Sequence, residues 1–260
     1  MLRRCVNDRT HTNVGGVGGQ LWRADVESAR TEPVLTDYLV NQYAVMSNDK
    51  EVAFTTGDSL NELWIASTLA RFAPRKVGEH VRRIRPGPNG VWYSGLQDGK
   101  TVVYRTTADG TPPQKVIDGV SLEAVSPDGK RLMVGRDISD EDEKESQLEA
   151  VNVADPGNSV PICRNCWAEW SGDGQWVYIS IGQQVTGYAK REHGVIVAVP
   201  VDPQTGLPRI RQVIRDQSEL LKLPGAKAVA PVGAGISPDG SVIAFIRSTA
   251  NRNLFRVPLQ

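Results

Sequence analysis

The chain has 260 residues, of which 30 are basic and 30 are acidic, so its formal net charge at pH 7 is zero. This balance excludes attraction of nucleic acid or of an anionic membrane over the whole surface. The longest clean apolar run, residues 195–201, is far too short to span a bilayer and contains Pro200. Because the basic residues at 1–5 have no apolar core behind them, we expect neither a signal peptide in these residues nor membrane insertion.

A short turn resembling Ser-Pro-Asp-Gly recurs five times along the chain. Its copies end at residues 50, 90, 129, 174 and 240, so successive copies are 40, 39, 45 and 66 residues apart. An aspartate or asparagine is expected to hold each turn together, at Asp49, Asn89, Asp128, Asp173 and Asp239. Each step has room for four strands, and a period near forty is typical of a β-propeller blade. The alternative is a set of ordinary hairpin turns in another all-β protein.

The residue types of the turn suit its geometry. Proline presets φ at the second position, aspartate bonds the backbone beyond it, and glycine accepts the left-handed conformation that closes the turn. Lys50 replaces that glycine once, at a cost of about 1–2 kcal/mol if the position is left-handed. One such departure is tolerable in a chain of this length.

Apolar runs follow the turns, and the sequence predicts an all-β fold, a six-bladed β-propeller in a single domain. The runs are mostly continuous rather than alternating, which suits strands that are buried on both faces. Residues 1–20 are expected to be poorly ordered or to form a partial strand. The blades are expected at residues 21–41, 42–79, 80–118, 119–164, 165–215 and 228–260.

The first predicted blade is incomplete, because the sequence offers no innermost strand for it. A blade without that strand leaves backbone groups unpaired, which is costly where water is excluded. We therefore expect the chain to be the C-terminal piece of a longer protein. In the alternative, the two terminal segments pair with each other and close the ring.

Two blades carry long insertions. Residues 137–145 hold six carboxylates, but their spacing does not match a calcium-binding EF-hand loop and no turn glycine lies among them. A solvated acidic hairpin loop is therefore the preferred interpretation. The second insertion predicts a short helix near residues 218–223, with Ser218 as its cap, a stop at Pro224 and Gly225, and leucines that cover a blade edge.

Polar residues near the turns are the candidates for binding. Arg82, Arg83 and Arg85 form the strongest basic cluster, which suits a phosphate or an acidic peptide near the mouth of the central channel. The alternative is a solvated or ion-paired strand face. Glu123 and Glu169 precede their turns by similar distances, so they either line the channel or supply polarity at its rim.

The sequence offers no catalytic constellation. Only His80 of the three histidines lies near a predicted inner strand, and one histidine cannot form the His, Asp and Glu cluster of propeller hydrolases. The glycine run at residues 15–19 leads into a strand and does not fit a phosphate loop. We therefore expect no catalytic residue, no metal and no cofactor.

Cys163 and Cys166 form a lone C-x-x-C pair. A structural zinc site needs four ligands, and a redox motif of the thioredoxin type needs a βαβ context, neither of which the sequence provides. In an oxidising compartment the pair would close a small disulfide at a strand junction. In a reducing compartment both residues would be buried thiols.

The repeated turn followed by strand, loop and Leu-Trp resembles the TolB-like repeat, a bacterial relative of the WD repeat. The ending at residues 252–259 is similar to the closing segment of extracytoplasmic propellers attached to bacterial membrane-anchored serine/threonine kinases. The junction at residues 163–174 and the leucine insertion resemble the same group. The resemblance implies an extracytoplasmic sensor or interaction domain, with any kinase and membrane helix upstream of these residues. No kinase catalytic residue is carried over, because none is present here.

The sequence therefore favours a non-enzymatic, monomeric propeller that binds a protein or peptide partner and no nucleic acid. A rigid ring with loops at both ends is suited to such binding. The alternative is a propeller hydrolase or a peptidase accessory domain that acts on peptides or sugars. A third interpretation is a structural fragment that retains no function.

Overall fold

The structure is a computed structural model of the chain. It describes residues 19–24, 28, 30–46, 50–57, 61–69, 72–107, 109, 111–138, 145–181, 194–231, 234–236, 240 and 243–244. The predictions for Asp49, for Asp239, for the carboxylates at 140–143 and for the ending at 252–259 fall outside the described residues.

The described strands form six antiparallel sheets, in which neighbouring strands follow each other along the chain. The first sheet pairs β1 (Gly19–Ala24) with β2 (Thr31–Val40). The second contains β3 (Gln42–Val45), β4 (Glu51–Thr56), β5 (Glu62–Ser67) and β6 (Arg75–Gly78). The third contains β7 (Val81–Gly87), β8 (Gly90–Gln97), β9 (Lys100–Thr106) and β10 (Gln114–Asp118).

The remaining three sheets follow the same order. The fourth contains β11 (Ser121–Val125), β12 (Arg131–Asp137), β13 (Ser146–Asn152) and β14 (Asp155–Arg164). The fifth contains β15 (Cys166–Trp170), β16 (Trp176–Ile181), β17 (Val195–Pro200) and β18 (Lys227–Pro231). The sixth pairs β19 (Gly235–Ile236) with β20 (Ile243–Ala244).

The second strand of each four-stranded sheet belongs to two apolar cores, because successive side chains point to opposite faces. On β8, Val91 and Tyr93 pack with Leu63 of the preceding sheet. Trp92, which lies between them, packs with Leu122 of the following sheet. The strands β4, β12 and β16 alternate in the same way. Burial on both faces explains the continuous apolar runs of the sequence.

The first strands of the four-stranded sheets contact each other in turn, β3 with β7, β7 with β11 and β11 with β15. Sheets that meet along their first strands and pack face to face are arranged as blades around an axis. The chain is therefore an all-β propeller, as the sequence predicts. Four of its sheets are complete blades, whereas the first and sixth are described by two strands each. The count of six blades stays a prediction.

Two of the repeated turns, at residues 126–129 and 171–174, share one set of hydrogen bonds. Ser126 Oγ donates to Asp128 Oδ1 over 2.6 Å, and that oxygen also accepts the Lys130 N–H over 3.0 Å. The second turn repeats both bonds from the Ser171 hydroxyl and the Gln175 N–H, which hold the pKa of its aspartate below the usual range. The serine therefore fixes the aspartate that closes the turn.

The turn at residues 86–90 closes differently from the others. Asn89 takes the left-handed conformation, with φ +62°, and Gly90 already belongs to β8. The prediction that the last glycine of each copy is left-handed is therefore wrong for this copy. A Cβ on Gly90 would lie 2.2 Å from the Thr106 carbonyl oxygen, so this glycine is needed for the close approach of two strands.

Neighbouring turns touch each other at one end of the propeller, which we call the turn end. A Cβ built on Gly129 would lie 2.6 Å from Cγ of Pro88, which belongs to the turn of the preceding blade. A Cβ on Gly174 would lie 3.8 Å from Cγ of Pro127 in the same way. A proline of one blade thus sits over the glycine of the next.

We predict that Gly129→Ala destabilises the chain more than Gly99→Ala. Both glycines are left-handed, with φ of +68° and +75°, but nothing lies within 4 Å of a Cβ on Gly99. The first substitution therefore adds an overlap with Pro88 to the backbone strain that both share. We expect losses in the free energy of unfolding of about 2–3 and about 1 kcal/mol, measured by urea denaturation.

The proline supplies the control for this prediction. Adding Pro88→Ala to the Gly129→Ala variant should recover the excess loss, because the overlapping ring is removed. Equal losses for the two glycine variants would show that the contact between turns has no energetic weight.

The helix predicted near residues 218–223 is present as α1 (Gln217–Leu221). Its N-cap is Asp216, whose side chain accepts the Glu219 N–H over 2.9 Å. The prediction of Ser218 as the cap is wrong, because Ser218 is the second residue of the helix and its hydroxyl donates to Asp216 Oδ1. Leu220 is fully buried in the core between the fourth and fifth sheets. Among the described residues, no helix is long and apolar enough to cross a membrane.

Candidate binding site on the inner strands

Three of the predicted site residues meet where two blades adjoin. Arg83 and Arg85 lie on β7, and Glu123 lies on β11, the first strand of the next blade. The Arg83 guanidinium forms an ion pair with the Glu123 carboxylate, and Arg85 Nε donates to the Glu123 backbone carbonyl over 2.6 Å. Ser121 Oγ donates to the other carboxylate oxygen over 3.1 Å. We call these four residues the arginine–glutamate cluster.

Irregular strand pairing sets the position of the cluster. The register between β7 and β8 shifts at Arg82, and the register between β11 and β12 shifts at Glu123, so neither residue has a partner in its ladder. A bulge of this kind bends the strand and re-aims side chains. Arg82 is the second residue of β7, and Glu123 is the middle residue of β11. The start of each inner strand lies at the end of the sheets away from the turns, which we call the opposite end.

A glutamine makes a second tie between inner strands. Gln42 Nε2 on β3 donates to the Arg82 carbonyl over 2.8 Å, just as Arg85 donates to the carbonyl of Glu123. The blades are separate sheets, so backbone groups at their borders need side-chain partners. Gln42 is only 6% exposed, and its Oε1 has no hydrogen-bond partner in the described part of the chain. This hydrogen bond fixes the backbone of Arg82.

The cluster and its neighbour carry an excess of positive charge. Burial lowers the pKa of Arg83, because desolvation disfavours the charged form. The Arg83 guanidinium is balanced by the Glu123 carboxylate, and Arg82 adds a further positive charge beside this pair. Arg82 is exposed, so the excess charge faces solvent.

Two further candidates lie on or beside the inner strands. Glu169 is on β15, one blade beyond the cluster, with Tyr178 opposite it in register. His80 lies immediately before β7 in a left-handed conformation, with φ +55°. In the described residues, no group of three or more His, Cys, Asp or Glu side chains is placed to hold a metal ion.

Sequence reasoning missed Gln42 and Ser121, although the repeat carried a signal for the first. Gln42 is 40 residues from Arg82, and Arg83 is 40 residues from Glu123. Residues one period apart face each other across a blade border, because each blade repeats the one before it. Ser121 is two residues from Glu123 on the same strand and therefore lies on the same face.

A second carboxylate that the sequence did not reveal is buried in the fourth sheet. Glu149 on β13 is 5% exposed, and its Oε1 accepts a hydrogen bond from Gln147 Nε2 over 3.0 Å. Arg136 Nε lies 3.3 Å from both carboxylate oxygens. The carboxylate is thus satisfied within its own blade, as a buried charge requires, and this marks a structural role.

Cys163 and Cys166 are joined by a disulfide. Cys163 lies on β14 and Cys166 begins β15, so the bond spans the connection between two blades. Cys163 is fully buried, whereas Cys166 is partly exposed.

No protein-family model and no curated protein sequence matches the chain. TolB from Acinetobacter baumannii is a solved structure similar over 90% of this chain, with a TM-score of 0.60 and 12% identity. The chain has a TolB-like β-propeller fold. A second TolB structure, from Agrobacterium tumefaciens, is similar over 86% of this chain and 73% of its own length, with a TM-score of 0.56 and 16% identity.

The likeness concerns the propeller rather than whole proteins. The chain spans 55% of the length of the Acinetobacter protein. It also resembles a prolyl endopeptidase, with a TM-score of 0.51 and 15% identity, over 85% of its own length but only 34% of that protein. At these identities the comparisons establish the fold.

We predict that Glu123→Gln destabilises the propeller more than Glu62→Gln. The Glu123 side chain is 18% exposed and balances the partly buried Arg83, whereas Glu62 pairs with Lys76 at a more exposed position. Loss of one partner leaves a partly buried charge uncompensated, whereas an exposed pair contributes little. We expect the free energy of unfolding in urea to fall by about 2 kcal/mol for Glu123→Gln and to change little for Glu62→Gln.

Adding Arg83→Met to Glu123→Gln should restore part of the loss, since the uncompensated charge disappears. Equal effects of the two glutamate substitutions would contradict a special role for the cluster in holding the blades together.

Proposed function

We propose that the chain is a non-enzymatic interaction propeller, which binds an acidic segment of a protein or peptide at the opposite end of its inner strands. The observation that carries this proposal is the arginine–glutamate cluster with the exposed Arg82 beside it. The cluster joins two blades, so it combines a rigid support with an excess of positive charge.

Arg82 is the residue best placed to meet a partner. Its backbone is fixed by Gln42, and the neighbouring Arg83 and Arg85 are held by Glu123. The backbone that carries Arg82 therefore needs little ordering on binding, which favours affinity. The planar guanidinium matches a carboxylate with two parallel hydrogen bonds, which a lysine cannot provide. An acidic peptide segment is the ligand that this chemistry selects.

The state of Glu123 supports binding rather than catalysis. A general acid or base must reach a substrate proton, and a nucleophile must be free to attack. Arg83 occupies one oxygen of the Glu123 carboxylate, and Ser121 donates to the other. The carboxylate therefore serves to hold the arginines in place.

The proposal is tested by fluorescence anisotropy with a labelled peptide of glutamate residues, compared with a glutamine peptide of the same length. We expect the acidic peptide to bind more tightly, with an affinity that falls as the salt concentration rises. Arg82→Ala should weaken binding about tenfold or more, because it removes a charge-assisted pair.

Lys130→Ala is the matched control for this experiment. Lys130 is also exposed and positive, but it lies at the turn end, so its removal should leave the affinity unchanged. Equal losses of affinity for the two variants would show that the peptide responds to the net charge of the protein rather than to this site. Equal binding of the acidic and glutamine peptides would contradict the proposed site.

The likeness to a prolyl endopeptidase favours a second candidate, the accessory propeller of a peptidase. A stoichiometric metal ion in the purified protein, or cleavage of a peptide mixture followed by mass spectrometry, would favour a hydrolytic role. Binding of peptides without cleavage would favour the first proposal.

We propose further that the propeller is the sensor part of a larger extracytoplasmic signalling protein, as its resemblance to kinase-linked propellers implies. A kinase domain and an apolar helix encoded in frame immediately upstream of Met1 would support this proposal. An unrelated gene at that place would contradict it.

A further inference from the structure

The connection between the fourth and fifth sheets is unusually constrained. Asn165, between the two cysteines, has a left-handed backbone with φ +45°. Its N–H donates to the Ser146 carbonyl over 2.9 Å, and its side-chain oxygen accepts the Ser146 N–H over 3.1 Å. The disulfide closes over this residue and joins the ends of the two strands. The course of the chain from β14 to β15 is therefore fixed by both hydrogen bonds and a covalent bond.

The same connection contacts the segment at residues 201–226. This segment includes the leucine insertion predicted from the sequence, and we call the whole segment the insertion. Ile214 pairs in parallel with Cys163 beside the outer edge of β14. The Arg164 N–H donates to the Ile214 carbonyl over 2.9 Å, and the Ile214 N–H donates to the Ile162 carbonyl over 3.0 Å. Ile214 and Leu220 are both buried in the core between the two sheets, together with Cys163. Both backbone partners of Ile214 thus flank a disulfide-bonded residue.

The two cysteines are not equally exposed. Cys163 is fully buried, whereas Cys166 is partly exposed at the start of β15. We propose that this disulfide is a thiol–disulfide exchange site, attacked at Cys166, whose reduction releases the insertion from the edge of β14. The ligand class is a dithiol or glutathione-type thiol. This inference does not depend on the proposed function.

The exchange balances in two steps. A thiolate of the reductant attacks Cys166 Sγ and forms a mixed disulfide, and the bond between the protein sulfurs breaks with Cys163 leaving as a thiolate that takes up a proton. A second reductant thiol then attacks the mixed disulfide and releases Cys166. The protein gains two electrons and two protons, and the reductant is oxidised to its disulfide.

Reduction should act on the insertion because it frees the short segment that supplies the two partners of Ile214. The hydrogen bonds between Asn165 and Ser146 remain, but the end of β14 is then no longer tied covalently to β15. The backbone hydrogen bonds of Ile214 open at a lower free-energy cost when the end of β14, which supplies their partners, is less rigid. The other blades have no part in this connection and should be unaffected.

Hydrogen–deuterium exchange of the full chain, oxidised and reduced with dithiothreitol, tests the inference in a Cys5→Ser background. We expect the amides of Ile214 and Arg164 to exchange about tenfold faster after reduction, with strand β8 unchanged. Unchanged exchange at both amides, or an equal increase in every blade, would overturn the proposal.

Two further measurements test whether the effect depends on Cys166. The Cys166→Ala variant should show fast exchange at Ile214 with or without dithiothreitol, and slow exchange in that variant would contradict the coupling. A brief reaction with reduced glutathione, quenched in acid, should place the adduct on Cys166 by tandem mass spectrometry. Adducts found equally on Cys163 would contradict the order of attack.

Discussion

The propeller depends on side chains that alternate between two neighbours. Because each second strand is buried on both faces, its residues stabilise two blade borders at once, as Val91 and Trp92 do on β8. Burial of each such large side chain contributes about 2 kcal/mol, and no blade can obtain this contribution alone. The blades are therefore stable only as a set, and the inner strands are held at fixed positions relative to one another.

That fixed arrangement brings polar residues together in the candidate site. Apolar packing brings β7 and β11 together, and the bulges at Arg82 and Glu123 then free these residues from the ladder. An arginine held by a carboxylate at a blade border would be an unremarkable surface pair in another context. Here it joins two sheets and leaves one guanidinium exposed beside it, so the contacts that stabilise the blade border also support the proposed binding site.

The sequence predicted the fold because turn chemistry and strand burial repeat with one period. It identified Arg83, Arg85 and Glu123 as candidates, but not their contact, because residue type does not show which residues face each other across a border. The left-handed Asn89 and the cap at Asp216 depend on local geometry that several residue types satisfy equally. The bulges could not be predicted for the same reason, because no particular residue type identifies a shift in strand register.

The contact between successive turns has a consequence for how such a chain changes over generations. The blade formed by β11–β14 presents Pro127 toward the following blade and Gly129 toward the preceding one. Duplication or deletion of this blade would therefore leave a proline facing a glycine at each junction that it changes. The propeller could gain or lose this unit without a new kind of contact between its turns.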